Sequence, residues 1–320
     1  MRYITQRILH ATLLLLAISF FSFALLDLAP GDYFDSMRLD PQISRQTLTG
    51  IRAKYGLDRP LPIRYAQWLG SLLDGQLGVS LASRGPVAPL LRVRARNTLL
   101  LSGTATLFAW LLALPIGIWS ATRRKGWADR IFGAATSALM TIPDLVLFLG
   151  LLLLAIRTGW FPTGGMRTEA ATDLGLWSSA KDLALHLALP ACGVALVSLP
   201  VLVRHIRAAM IEALEAPFLR AARGHGIPNS RLLFRYALPA ASNPLISLLG
   251  FSVATMLSVS ALAEIVLSWP GLGPLLVESI LSRDVYVVVA IVMLSSVFLV
   301  AGNLLADLLL FASDPRIRME

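Results

Sequence analysis

Long apolar runs separated by cation-rich connections set the organisation of this chain. Six runs, near 8–28, 98–121, 131–156, 183–206, 242–265 and 285–311, are dominated by Leu, Ile, Val, Phe and Ala. A helix needs about 20 such residues to cross the ~30 Å hydrocarbon layer of a bilayer. No water reaches backbone groups in that layer, so each run is predicted to be a helix. The pattern therefore predicts an all-α polytopic membrane protein with six transmembrane helices. The first run follows Arg2 and Arg7. It lacks the short apolar core and small-residue cleavage site of a signal peptide, and is read as a retained span.

Orientation follows from the connections. Arg2 and Arg7 precede the first run, and Arg123, Arg124, Lys125 and Arg130 join the second to the third. Arg204, Arg207, Arg220, Arg223, Arg231 and Arg235 lie around the 207–240 connection, and Arg316 and Arg318 close the chain. The shorter connections on the other side hold only Arg157, Arg167, Lys181 and Arg283. Cations concentrate on the cytoplasmic side, which predicts that both termini are cytoplasmic. The 29–97 connection carries ten basic residues yet is assigned outside, because long loops translocate largely regardless of charge. Its Pro and Gly content and the amphipathic piece from Ile63 to Leu73 predict a small folded extracytoplasmic element. The chain is thus divided into 1–97, the first helix with its long outer loop, and 98–320, a five-helix core.

Composition agrees with the membrane class: 56% of the 320 residues are hydrophobic, 15% are charged, and mean hydropathy is +0.70. The net charge of +9 is explained by topology, and no basic stretch has the aromatic interleaving of a nucleic-acid platform. Cys192, the single cysteine, sits in an apolar run as a small hydrophobe. There is no phosphate-cradling G-x-x-x-x-G-K-[ST], no H-E-x-x-H and no G-x-S-x-G, so the sequence offers no enzyme site, cofactor site or metal site.

The connection from Glu215 to Pro239 is the most informative segment. Pro217 suits the first turn of a helix, where its missing N–H is harmless. Gly226 can adopt the left-handed conformation that ends a helix, and Pro228 prevents continuation. Asn229 or Ser230 can cap a second short helix, which Pro239 disturbs. A short helix with small residues on one face and cations around it lets an acidic protein groove approach closely. The same segment also reads as a structured loop without a partner.

The spacing of Ala221, Ala222, Gly226, Leu238 and Pro239 resembles the EAA loop of bacterial ABC import permeases. Arg220 and Tyr236 depart from residues common in that loop. LAPGD at 28–32, GLDRPLPIRYAQWL at 56–69, LGVSLASRGPVAPLL at 77–91, WPGLG at 269–273 and DPRIR at 314–318 resemble the peptide/nickel subfamily, and the short N-terminal tail its first-permease type. The resemblance implies a type I importer permease fold, with a cytoplasmic coupling helix between the fourth and fifth spans. Phe218, Arg220, Ala221, Ala222, Arg223, Gly226, Leu238 and Pro239 would dock an ATPase. It also implies a heterodimer with a second permease, two cytoplasmic ATPase subunits that bind the ATP, an extracytoplasmic solute-binding protein, and a place in the inner membrane.

Within the spans, Ser252, Thr255 and Ser258 lie along one face of the fifth helix. They either line a hydrated pathway or pack helix on helix. Asp144 follows Pro143 in the third run, where a carboxylate needs water, a substrate cation or a partner helix. Glu264 and Asp307 match acidic positions common in the family and are read as sites of structural ion pairing or subunit contact. The resulting function is a permease subunit of an ATP-driven importer of peptides or a related solute. A self-contained channel or secondary transporter, and within the family a nickel, glutathione or opine importer, are the alternatives.

Overall fold

A computed structural model describes residues 2–28, 33–34, 46, 50, 58–168 and 175–313. LAPGD after its first residue, the first two residues of the 56–69 stretch, and the C-terminal DPRIR lie outside the described residues. The helices are α1 (Arg2–Leu28), α2 (Leu61–Leu73), α3 (Val87–Thr122), α4 (Trp127–Thr141), α5 (Asp144–Thr158) and α6 (Leu176–Glu215). After them come α7 (Pro217–Gly224), α8 (Asn229–Leu232), a π-helical turn (Leu233–Ala237) and α9 (Leu238–Ala240). The last are α10 (Ser242–Val266), α11 (Leu272–Leu281) and α12 (Val285–Ser313). Among the described residues no strand forms, and an isolated antiparallel bridge joins Val79 to Pro86.

Five helices are long and apolar enough to cross a membrane: α1 through Leu9–Leu26, then α3, α6, α10 and α12. The sixth expected span, 131–156, is not one rod. It is α4 and α5, bent by 98° at the break between them. Pro143 causes the break: it has no N–H to donate, and its ring drives Ile142 out of the helical region to φ −84°, ψ 120°. Two helices outrun the membrane. At 1.5 Å per residue α3 is about 54 Å long and α6 about 60 Å, so both project past a bilayer core.

The residues group into two compact units, Met1–Arg96 with Gly271–Phe298, and Asn97–Pro270 with Leu299–Glu320. In the first, Phe23 of α1, Trp68 of α2 and Val289 of α12 form a buried cluster. Tyr65 adds a hydroxyl contact to Ser19 at 2.9 Å. The amphipathic piece expected from Ile63 is α2, with Arg64 and Trp68 on its buried side. The Asp284 carboxylate accepts from Ser80 Oγ at 2.6 Å and Ala82 N–H at 3.1 Å, pinning the turn before α3 to the start of α12.

In the second unit α6 is the central pillar, packed against α4, α5 and α10. Small residues make close packing possible. Leu101, Ala105, Ala109 and Ala113 recur every fourth position on α3 and are fully buried, and Gly117 continues the row. A Cβ on Gly117 would stand 2.7 Å from Ile206 Cγ2 on α6. One on Gly193 of α6 would stand 2.7 Å from Phe148 of α5. One on Gly250 of α10 would stand 2.3 Å from Ala306 of α12.

Candidate functional site

The connection after α6 folds as a small platform. Pro217 is the first residue of α7, preceded by Ala216 in an extended conformation, so α6 and α7 meet at a corner rather than in line. The far end of α7 closes as a Schellman motif. Gly226 has φ +78°, its N–H bonds to Arg223 O at 3.0 Å, and Ile227 N–H bonds to Ala222 O at 3.4 Å. The left-handed role expected of Gly226 is thus the one observed. Asn229 and Ser230 do not cap α8. Pro228 takes the cap position in an extended conformation and makes no side-chain cap, because its ring carries no hydrogen-bond acceptor.

Pro239 does not break the chain's path either. A proline ring in a helix presses on the carbonyl four residues back. The π-helical turn Leu233–Ala237 widens the coil just there, and the chain continues through α9 to Ala241, whose N–H bonds to Ala237 O at 2.9 Å.

One residue that the sequence did not single out fixes α7. Leu219 is 1% exposed and belongs to the main hydrophobic cluster, as do Leu232 and Ala237. Ala222, Ile227 and Leu238 pack on the same cluster from the side. With that face inward, Phe218 (51% exposed), Arg220 and Ala221 face outward, Arg223 lies one turn after Leu219 at the margin with its side chain exposed, and Gly226 and Pro239 are exposed too. Phe234 and Tyr236 are exposed beside them. A groove of about 530 Å³ opens among Thr122, Leu214, Arg223, Asn229 and Phe234. The platform is basic: Arg220, Arg223, Arg231 and Arg235 are exposed, while Glu215 is engaged by Arg124 and the Glu215 carbonyl accepts Arg220 Nε at 2.9 Å.

A second feature legible only in three dimensions locks this platform to the neighbouring turn. Asp129, in the first turn of α4, accepts Arg207 Nε at 2.7 Å and Nη2 at 2.9 Å. It also accepts Ser120 Oγ and the Lys125 N–H, the latter at 2.9 Å. Both oxygens are thereby used. The result is a clamp between the α3–α4 turn and α6, nearly three turns before α7 begins. Asp129 is the only acid among the cations of that turn, which was the available signal.

The residues considered for a pathway are dispersed. Ser252 is buried, donates to Leu249 O at 2.7 Å, and accepts the Trp110 indole N–H at 2.9 Å. Thr255 is half-buried and donates to Ser252 O at 3.0 Å, and Ser258 is exposed. Asp144 lies not within a continuous span but at the break, as the first residue of α5, and it is exposed. A carboxylate there is favoured by the helix dipole. Glu264 near the end of α10 is fully buried, and Asp307 on α12 is half-buried.

Comparison with known proteins agrees along the whole chain. Residues 113–319 match the family described as the binding-protein-dependent transport system inner membrane component, and residues 1–94 match its N-terminal counterpart. The oligopeptide transport system permease protein AppB of Bacillus subtilis (strain 168) is 36% identical over 98% of both chains. The glutathione transport system permease protein GsiC of Pectobacterium atrosepticum is 32% identical over 100% of both. Among solved structures, an inward-facing form of the MetNI methionine ABC transporter aligns with a TM-score of 0.57 at 17% identity, covering 70% of this chain and 96% of that one.

Proposed function

The chain belongs to the family of binding-protein-dependent transport system inner membrane components, and from that premise we propose that it moves peptides inward by coupling to ATPases gripped at α7. Members of this family are multi-pass, non-enzymatic membrane subunits of ABC importers, and so is this chain. The peptide cargo is inferred from relatives whose names specify oligopeptides, with a glutathione-like compound as the neighbouring choice. Two ATPase subunits, a second permease and an outer solute-binding protein complete the assembly. ATP is bound by the ATPases, and both termini face the cytoplasm of the cell.

The observation that carries this reading is the split of α7 into an anchored and an offered face. Leu219 holds the helix on the core, Phe218, Arg220 and Ala221 are turned outward, and Arg223 is exposed at the margin. An aromatic side chain flanked by Arg is the kind of centre that dominates protein–protein affinity. The Asp129–Arg207 clamp then joins α7, through α6, to the α3–α4 turn. A push on the helix is therefore carried as a rigid-body movement rather than absorbed by a loose loop. Asp144, Thr255 and Ser258 are the candidates to face the solute. Ser252 supports the packing behind them, and 1–97 supplies the outer element.

The test is side-specific labelling. In a Cys192→Ala background, Ala221→Cys should react with an impermeant maleimide in inverted vesicles and stay unlabelled in right-side-out ones. Ala221 is the exposed member of the Ala pair, whereas Ala222 packs on the core. Labelling from the outer face would overturn the reading.

A further inference from the structure

The α3–α4 corner carries an exposed apolar surface apart from α7. At 100° per residue, Trp127, Ile131, Ala134 and Ala138 fall within about 60° of one another on α4. All four are exposed, Trp127 by 65% and Ile131 by 54%. The opposite side, with Ala128 and Thr136 buried and Phe132 and Leu139 half-buried, packs inward. An exposed apolar stripe on a helix that directly follows the membrane-crossing α3 is suited to acyl chains.

Cations stand at the base of this stripe. Arg123 lies over the Trp119 ring at 5.5 Å, and Trp119 meets Trp127 edge-on at 6.2 Å and Phe132 at 5.5 Å. Arg130, three residues after Trp127, is its neighbour on the helix surface and is exposed. Nearby acids are engaged elsewhere: Asp129 by Arg207, Ser120 and Lys125 N–H, and Glu215 by Arg124. Among the described residues neither Arg123 nor Arg130 has an acidic partner. Paired indoles with guanidinium groups, at one end of an apolar stripe, have the composition of a headgroup-level site.

We propose that Arg123 and Arg130, flanking the Trp119–Trp127 pair, hold the phosphate of an anionic phospholipid whose acyl chains lie along Trp127, Ile131, Ala134 and Ala138. The proposal rests on the membrane-spanning character of the chain and not on the α7 reading. Charge complementarity selects the anionic headgroup over a zwitterionic one, and the stripe selects a lipid over a free phosphate. Because the same corner holds Asp129, a lipid bound there would steady the clamp to α6.

The experiment uses the full chain in phosphatidylcholine vesicles doped with bromine-labelled phosphatidylglycerol or, in parallel, bromine-labelled phosphatidylcholine. The Trp127 contribution to quenching is the difference from Trp127→Phe. Phosphatidylglycerol should quench Trp127 more strongly. Each of Arg123→Gln and Arg130→Gln should lower the preference roughly five-fold, and Arg123→Lys/Arg130→Lys should retain most of it while serving as the folding control. Millimolar inorganic phosphate should leave quenching unchanged. Equal quenching by the two lipids, relief by free phosphate, or a preference that survives both Gln substitutions would overturn the proposal.

Discussion

Arg207 of α6 grips Asp129 of α4 with two hydrogen bonds, Nε to Oδ1 at 2.7 Å and Nη2 to Oδ2 at 2.9 Å. Such a fork fixes direction as well as distance. Asp129 is mostly buried and receives two further donors, so losing the guanidinium leaves a carboxylate with poor solvation. A double-mutant cycle over Asp129→Asn and Arg207→Gln should give a coupling of about 1–2 kcal/mol in detergent unfolding. The single variants should also lower transport without changing cargo choice. Additive effects would show that the pair does not act as a clamp.

Leu219 and Phe218 are adjacent and should behave oppositely. Leu219→Ala removes a fully buried side chain from the main cluster and should cost about 2–4 kcal/mol of stability. Phe218→Ala removes an exposed ring and should change stability by no more than ~0.5 kcal/mol. Yet Phe218→Ala should depress ATP-dependent uptake in reconstituted vesicles at least as much. Unfolding curves and uptake rates measured side by side check this.

Two glycines separate backbone strain from steric crowding. Gly226 has open space around it but φ +78°, so Gly226→Ala should cost about 1 kcal/mol and Gly226→Asn less. Gly117 is an ordinary helical residue whose added Cβ would meet Ile206 at 2.7 Å, so Gly117→Ala must push α3 from α6. Gly133 of α4 has nothing within 4 Å, and Gly133→Ala should be neutral or slightly stabilising. Thermal midpoints of the four variants rank these effects.

Ser252 should matter for packing rather than for cargo. Ser252→Ala strands the Trp110 indole N–H and should cost roughly 1–2 kcal/mol, with an unchanged preference among peptides. Ser258→Ala and Asp144→Asn, at exposed positions, should leave stability nearly intact and alter uptake of cationic or charged-terminus peptides. Competition assays over a small peptide panel distinguish the two groups.

The apolar runs were sufficient to read the helical membrane fold, because a bilayer demands about 20 apolar residues for each crossing and leaves little room for another pattern. The third run folds as a bent pair of helices rather than one rod, and Pro143 carries the signal: a single proline can be absorbed as a kink or can end a helix, and the choice depends on packing. Prolines 115, 190 and 200 sit inside continuous helices. Gly226 was legible because a left-handed closure has few alternatives. Leu219 was not, since one Leu in a basic segment is silent until the core beneath it is known. The Asp129–Arg207 pair joins residues 78 apart, a distance that no local pattern spans.

The most direct test of α7 as the grip is proximity crosslinking of Ala221→Cys, in the Cys192→Ala chain, to the ATPase subunits of the assembled transporter. A short bifunctional reagent should join the two in high yield, with the yield changing when ATP is added. A crosslink confined to lipid or to the outer solute-binding protein, with none to an ATPase in an assembly that hydrolyses ATP, would contradict the account.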